Sequence, residues 1–229
     1  MSAMDSTLRA SLADKAKEIT TRELATYAER TAGSQKANAR ARKVLPLGVP
    51  SSFQAYDPYP LVIRSADGPN MFDVDGNQYT DYDMGFGALF VGHRHPEVLK
   101  AVNAQLANGT LFVNPCEANA EVAELLAARY GLPMWRFTNS GTESTMDAIR
   151  VARAATGRDK IVKVEGGYHG HHDEVMVSMK PPLHLAGPAD SPNSVPSSAG
   201  ISSNVVKDTI VIPYNDAAAL ERALASREV

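Results

Sequence analysis

Three short apolar runs, Met134 to Thr138, Ile161 to Glu165 and Thr209 to Pro213, alternate with stretches of helical periodicity. That alternation limits the fold more than any other feature of the chain. Strands separated by a helix-length crossover pair in parallel, and parallel strands are covered on both faces by the crossover helices. The spacing predicts a helix over Thr142 to Thr156, stopped by Gly157, and another from about Asp216. Upstream, Pro96 to Asn108 has proline in its first turn, Val98, Val102 and Leu106 on one face, and Asn108-Gly109 as its end. Glu117 to Tyr130 follows, closed by Gly131. The expected class is α/β, a mostly parallel sheet with flanking helices. The chain stops at Val229 where the pattern calls for a further strand, so the sheet is expected to be incomplete.

Before Gly92 the texture differs. Leu8, Leu12, Ala16, Ile19, Leu24 and Tyr27 recur at near-helical spacing, with Gly33 as the expected stop. A second helical piece runs from about Ser34 and breaks at Pro46. Short β-type runs follow at Leu61–Ile63, Met71–Val74 and Gln78–Tyr82, and Asp75-Gly76-Asn77 between the last two is a hairpin turn signal. Asp73, Asp75 and Asn77 do not make a calcium loop, because Gln78 and Met84 stand where glycine and glutamate are required. The expected division is a helical and β-hairpin segment of a small domain over 1–85, and the first part of a large α/β domain over 86–229. Within the latter, Lys180 to Asn204 carries Pro181, Pro182, Pro188, Pro192 and Pro196, and a loop of that length reads as a lid.

Charge narrows the partners. The 229 residues hold 23 basic and 26 acidic side chains, a net charge of −3, which offers no field for nucleic acid or an anionic membrane. Lys36, Arg40, Arg42 and Lys43 lack interleaved aromatics and read as a solvated helix face. Cys116 is the only cysteine, so no internal disulfide forms. No apolar run approaches the roughly 18 residues of a membrane span. The first thirty residues are rich in acids and lack the apolar centre of a signal peptide. The expected location is the cytoplasm.

Two motifs carry chemistry. Asn139-Ser140-Gly141-Thr142-Glu143 lies between an expected strand and a helix. The N–H groups of a helix start, with two hydroxyls and a glycine that admits close approach, suit a phosphate dianion. Ser140 and Glu143 also make a Ser-x-x-Glu capping box, which needs no ligand. Glu165-Gly166-Gly167-Tyr168-His169-Gly170-His171-His172-Asp173 ends the next strand. Ligands in open α/β sheets sit beyond the carboxyl ends of strands, so both motifs can face one crevice. An exposed Tyr168 or His169 ring there suits stacking on a planar ligand. His169, His171 and Asp173 also have metal-ligand spacing, although Glu174 stands where the His-x-His-x-Asp-His hydrolase pattern needs histidine.

Taken in order, the motifs resemble a known family. Phe72-Asp73-Val74-Asp75-Gly76-Asn77-Gln78-Tyr79, Gly92-His93-x-His95-Pro96, Arg136-Phe137-x-Asn139-Ser140-Gly141-Thr142-Glu143, Thr156-Gly157-Arg158-Asp159-Lys160-Ile161 and Tyr168-His169-Gly170 are similar to class III aminotransferases. The nearest subgroup is the glutamate-1-semialdehyde 2,1-aminomutases, and the likeness runs from about Ala37 to Leu220. It implies a fold-type-I, aspartate aminotransferase-like enzyme that uses pyridoxal 5'-phosphate, acts on an amine or amino acid and works as a homodimer. Ser140, Gly141 and Thr142 would hold the cofactor phosphate, Tyr168 would stack on its ring, and His169 would lie beside it.

Ser51, Gln54 and Phe86 fall in the family's substrate region. Gln54 stands where aminomutases carry an arginine for the substrate carboxylate, and Phe86 where they carry a tryptophan. A neutral amide cannot make the charged bidentate pair, so another substrate is expected. The family's Schiff-base lysine lies downstream of Val229, and none of the lysines present falls in its context, so no catalytic residue is assigned. Two alternatives stand beside amino-group transfer: a metal-dependent hydrolase using the histidines, and a non-catalytic truncated fragment.

Overall fold

The structure is a computed structural model that describes residues 3–229, with side chains from Leu8 onward. The chain divides into two compact units, Met1–Asn114 and Pro115–Val229. No helix among the described residues is long and apolar enough to cross a membrane.

The first unit opens with α1 (Ala3–Arg30) and α2 (Ala32–Ala41). The break between them falls at Thr31, with φ −129°, and not at Gly33, which lies in the first turn of α2. The reason is local. The Thr31 hydroxyl donates back to the Tyr27 carbonyl, while the Asp75 carboxylate accepts from Gly33 N at 2.6 Å and Ser34 N at 3.0 Å. A carboxylate on those amides starts a helix there. A Cβ on Gly33 would stand 2.6 Å from Asp75 Oδ1, so glycine serves close approach and not termination.

Two 3-10 turns, Pro46–Gly48 and Ser52–Gln54, lead to an antiparallel sheet of β1 (Ile63–Asp67), β2 (Asn70–Asp73) and β3 (Gln78–Thr80) in that order. The hairpin turn sits where Asp75-Gly76-Asn77 places it. Its organiser is Asp73, 1% exposed. Asp73 Oδ1 accepts from Asp75 N at 3.0 Å and Asn77 N at 2.8 Å, and Oδ2 accepts from Asn77 Nδ2 and Tyr79 Oη, both at 2.9 Å. Burial opposes its charge, but these donors outweigh it and hold the carboxyl below the usual range. Burial, and donation to Asp73, push the Tyr79 phenol up to about 12. Beyond the sheet, His93 bridges to Gly68 and sets Nε2 2.7 Å from Asp81 Oδ2, closing the segment between them before α3 (Pro96–Leu106).

The second unit runs α4 (Glu117–Tyr130), α5 (Gly141–Thr156), β4 (Ile161–Val164), α6 (Ser203–Asp208), β5 (Thr209–Ile212) and α7 (Ala217–Ala225). Gly131 and Gly157 end their helices in the left-handed conformation, and Asp216 caps α7 by accepting from Ala219 N. Strands β4 and β5 pair in parallel, Ile161 opposite Thr209. The expected strand at 134–138 does not form. Its composition suits a buried strand, yet no neighbour among the described residues completes a ladder with it, and a strand exists only by pairing. Val175, Val177, Val195, Val211 and Ile212 are buried. The long proline-rich loop is strapped at its base: Ser178 Oγ donates to Asn193 O and accepts from Val195 N, while Ser178 N donates to Val195 O.

Candidate functional site

The start of α5 is an open set of donors. Ser140 is its N-cap, and its Oγ accepts from Glu143 N at 3.2 Å. The Glu143 carboxylate turns back to accept from Asn139 N at 2.6 Å, so the box is a residue wider than Ser-x-x-Glu implies. No acceptor among the described residues meets the amides of Gly141 and Thr142, and a Cβ on Gly141 would meet open space. Thr142 Oγ1 accepts from His171 N at 3.1 Å, which leaves its proton for another acceptor. Two backbone N–H groups and two hydroxyls thus keep donors to offer at the positive end of a helix dipole, with open space beside Gly141.

The second motif folds onto this helix start. Gly170, with φ +124°, lies so close that a Cβ would be 3.0 Å from Thr142 Cα and 3.0 Å from Thr145 Oγ1. Only glycine permits that approach. Two peptide units separate Gly170 from Tyr168, so the Tyr168 and Thr142 Cα atoms lie within about 12 Å of each other. The Tyr168 side chain is exposed, at 62%, and His169 is exposed beside it. The His169 ring folds back over Gly167, whose Cβ would meet Nε2 at 2.7 Å. Ser140, Gly141, Thr142, Tyr168 and His169 are therefore brought together within one unit.

A half-buried network behind them has no local signal in the sequence. His172 Nε2 lies 3.1 Å from Thr145 Oγ1, and Nδ1 lies 2.9 Å from Glu174 Oε2. Arg153 Nη1 donates to Glu174 Oε1 at 3.2 Å. Burial opposes ionisation of Glu174, but bonds from His172, its own amide and Arg153 prevail and lower its carboxyl. The metal alternative finds no geometric support: no group of three His, Cys, Asp or Glu among the described residues is placed to hold an ion.

Ser51, Gln54 and Phe86 lie in the first unit. Phe86 and Phe53 meet edge to face, with ring centroids 5.6 Å apart, which draws Gln54 and Phe86 into one neighbourhood. Ser51 is exposed and precedes the short 3-10 turn that carries Gln54. Gln54 lines an open, largely apolar cleft of about 790 Å³ together with Tyr59, Val62 and Met71, and its Oε1 is buried without a hydrogen-bond partner.

The family model for class-III aminotransferases matches residues 52–227. The chain belongs to that family. Among curated class-III relatives, the glutamate-1-semialdehyde 2,1-aminomutase of Methanothrix thermoacetophila is 41% identical over 197 residues, covering 86% of this chain and 44% of its own length. That of Methanocella arvoryzae is 44% identical over 189 residues, covering 82% and 43%. Of solved structures, an omega-transaminase from Sphaerobacter thermophilus superposes with a TM-score of 0.80 at 37% identity, covering 85% of this chain and 44% of that one. A glutamate-1-semialdehyde aminomutase from Pseudomonas aeruginosa superposes at 0.79 with 32% identity, covering 93% and 46%. The class-III chain described here therefore spans less than half the length of these relatives, and its fold is the α/β, fold-type-I architecture they share. The hydrolase alternative finds no support in any of these likenesses.

Proposed function

We propose that this chain contributes the cofactor-phosphate and ring-stacking part of a pyridoxal 5'-phosphate enzyme that moves an amino group on an amine or amino-acid substrate. One observation carries it: the start of α5, whose Gly141 and Thr142 amides meet no acceptor among the described residues, and the exposed Tyr168 are held together by the contact of Gly170 with Thr142. The residues fit the cofactor. The Gly141 and Thr142 amides and the Ser140 and Thr142 hydroxyls match a phosphate dianion, the Tyr168 face matches a planar ring, and His169 flanks it. When bound, pyridoxal phosphate supplies an electron sink, while the protein supplies binding and orientation.

By their positions in the family's motifs, Gln54 and Phe86, with Ser51, bear on substrate choice in this reading. Gln54 brings an uncharged amide where a charged, bidentate partner for a distal carboxylate would need a guanidinium. The working form is a homodimer in the cytoplasm, in keeping with the family.

The test is equilibrium binding of pyridoxal phosphate to the purified 229-residue chain, with inorganic phosphate as competitor. Thr142→Val combined with Ser140→Ala is expected to weaken binding at least about tenfold, since charge-assisted bonds contribute roughly 1.5–3 kcal/mol each. Unchanged affinity in that double variant, or no competition by phosphate, would remove the assignment. No lysine here stands in the family's Schiff-base context, so this chain assayed alone is expected to bind without turning over an amine.

A further inference from the structure

The turn that carries Tyr168 is held at two posts. The far post is the helix start described above. Gly170 packs on Thr142, His171 N donates to Thr142 Oγ1 at 3.1 Å, and Thr145 Oγ1 lies 2.7 Å from the His169 carbonyl. The near post lies outside both sequence motifs: Gly166 N donates to the Ser178 carbonyl at 2.9 Å. Gly167 N turns back to the Val164 carbonyl of its own strand, so the bond to Ser178 is the one that ties this end of the turn to another segment. Between the posts, Tyr168 and His169 are exposed.

The surroundings of Ser178 hold that carbonyl in place. The residue is 0% exposed, and its backbone is left-handed, with φ +48°, a conformation that a residue bearing a Cβ adopts at a cost. Three bonds to the proline-rich loop keep it there. Ser178 N donates to Val195 O at 2.6 Å, and Oγ donates to Asn193 O at 2.7 Å and accepts from Val195 N at 2.9 Å. Asn193 is tied in turn to the carbonyls of Leu185 and Ala186. Without the hydroxyl, two of the three bonds go, the amide of buried Val195 loses this partner, and nothing offsets the cost of the left-handed backbone. As that backbone relaxes, the carbonyl leaves Gly166. Gly166 is exposed, so water takes its amide and the near post is lost.

We propose that Ser178 is a positioning residue that fixes the Tyr168 turn from the side of the proline-rich loop. Its value rests on the function proposed above: the stacking ring depends on this post, whereas the phosphate donors depend on the far one.

The experiment is amide hydrogen exchange, followed by ligand titration, on the purified 229-residue chain. In Ser178→Ala, protection at Gly166 is expected to fall at least about fivefold, the weight of one ordinary hydrogen bond, while the β4–β5 ladder keeps its protection. Ser178→Gly also lacks the hydroxyl but adopts a positive φ freely, and is expected to protect Gly166 better than Ser178→Ala does. That order reverses the usual penalty for glycine, which loss of packing alone would not do. Should Ser178→Ala fail to fold, Ser178→Cys, near in shape but a weak hydrogen-bonding group, gives the same contrast with wild type. Pyridoxal phosphate is expected to bind Ser178→Ala about fivefold more weakly, and inorganic phosphate as well as before. Unchanged protection at Gly166 in Ser178→Ala overturns the proposal. So does a Ser178→Gly chain no better protected than Ser178→Ala, or an equal loss of affinity for both ligands. The exchange contrast in a chain that binds no pyridoxal phosphate overturns the functional assignment and leaves the post standing, while cofactor binding without the contrast does the reverse.

Discussion

Two helix starts in this chain solve the same electrostatic problem in opposite ways. At α2, the amides of Gly33 and Ser34 are met by the Asp75 carboxylate, supplied from the hairpin turn of the same unit. At α5, the amides of Gly141 and Thr142 meet no acceptor among the described residues, and there is room beside Gly141. Both ends carry the partial positive charge of the helix dipole and both call for an anion. Where the polypeptide brings its own anion, the helix start is a structural joint. Where it leaves the donors open, the helix start has room for an anion from outside the chain. The local sequences also differ: a glycine admits the protein's carboxylate in one, and a glycine flanked by hydroxyls faces free space in the other.

That contrast can be broken deliberately. The largest effect is expected from Asp73→Ala, which removes a buried carboxylate serving four donors beneath the turn that carries Asp75. It should cost about 3–5 kcal/mol in urea unfolding. Ser140→Ala with Thr142→Val should by comparison cost no more than about 1–2 kcal/mol of stability, as the loss of a cap. Its main effect should be on ligand affinity.

Acid separates the two regions more finely. The Asp73 carboxyl is held below its ordinary 3.8, so its contribution is present above that value and is lost as pH falls through the folded value. A stability profile taken downward from pH 5 should show this loss, and Asp73→Asn should remove it. The smallest effect is expected at Gln54, whose Oε1 is buried without a partner. Gln54→Met should change unfolding free energy by less than about 1 kcal/mol, in either direction, because no existing bond of that atom is lost.

The legible parts of this molecule are those set by neighbours in sequence. The Asp75-Gly76-Asn77 turn, the glycine ends of α4 and α5, and the Ser140 and Asp216 caps all act within a few residues, and each stands where its local chemistry places it. Gly33 misleads because its partner, Asp75, is forty-two positions away and converts an expected stop into a start. The run at 134–138 misleads in the opposite sense, having strand composition but no strand beside it. At the site, the donors and the ring are local motifs and could be read. The half-buried His172–Glu174 pair could not, because Thr145 and Arg153 reach it from another element and only the fold brings them together.

The parallel pairing of β4 with β5 has a consequence for how the site comes into being. Ile161 is in register with Thr209, so the first contact between these strands closes a loop of about 48 residues, and the entropy of that closure is spent before any ladder bond repays it. Tyr168 lies inside this loop, and the Ser178 and Val195 contacts that strap it are themselves long-range. High contact order makes this a late and slow event in folding, whereas the first unit's hairpin forms from adjacent residues. Tyr168 is therefore among the last parts of the chain to reach its place beside the start of α5, and completion of the crossover sets the time at which it does so.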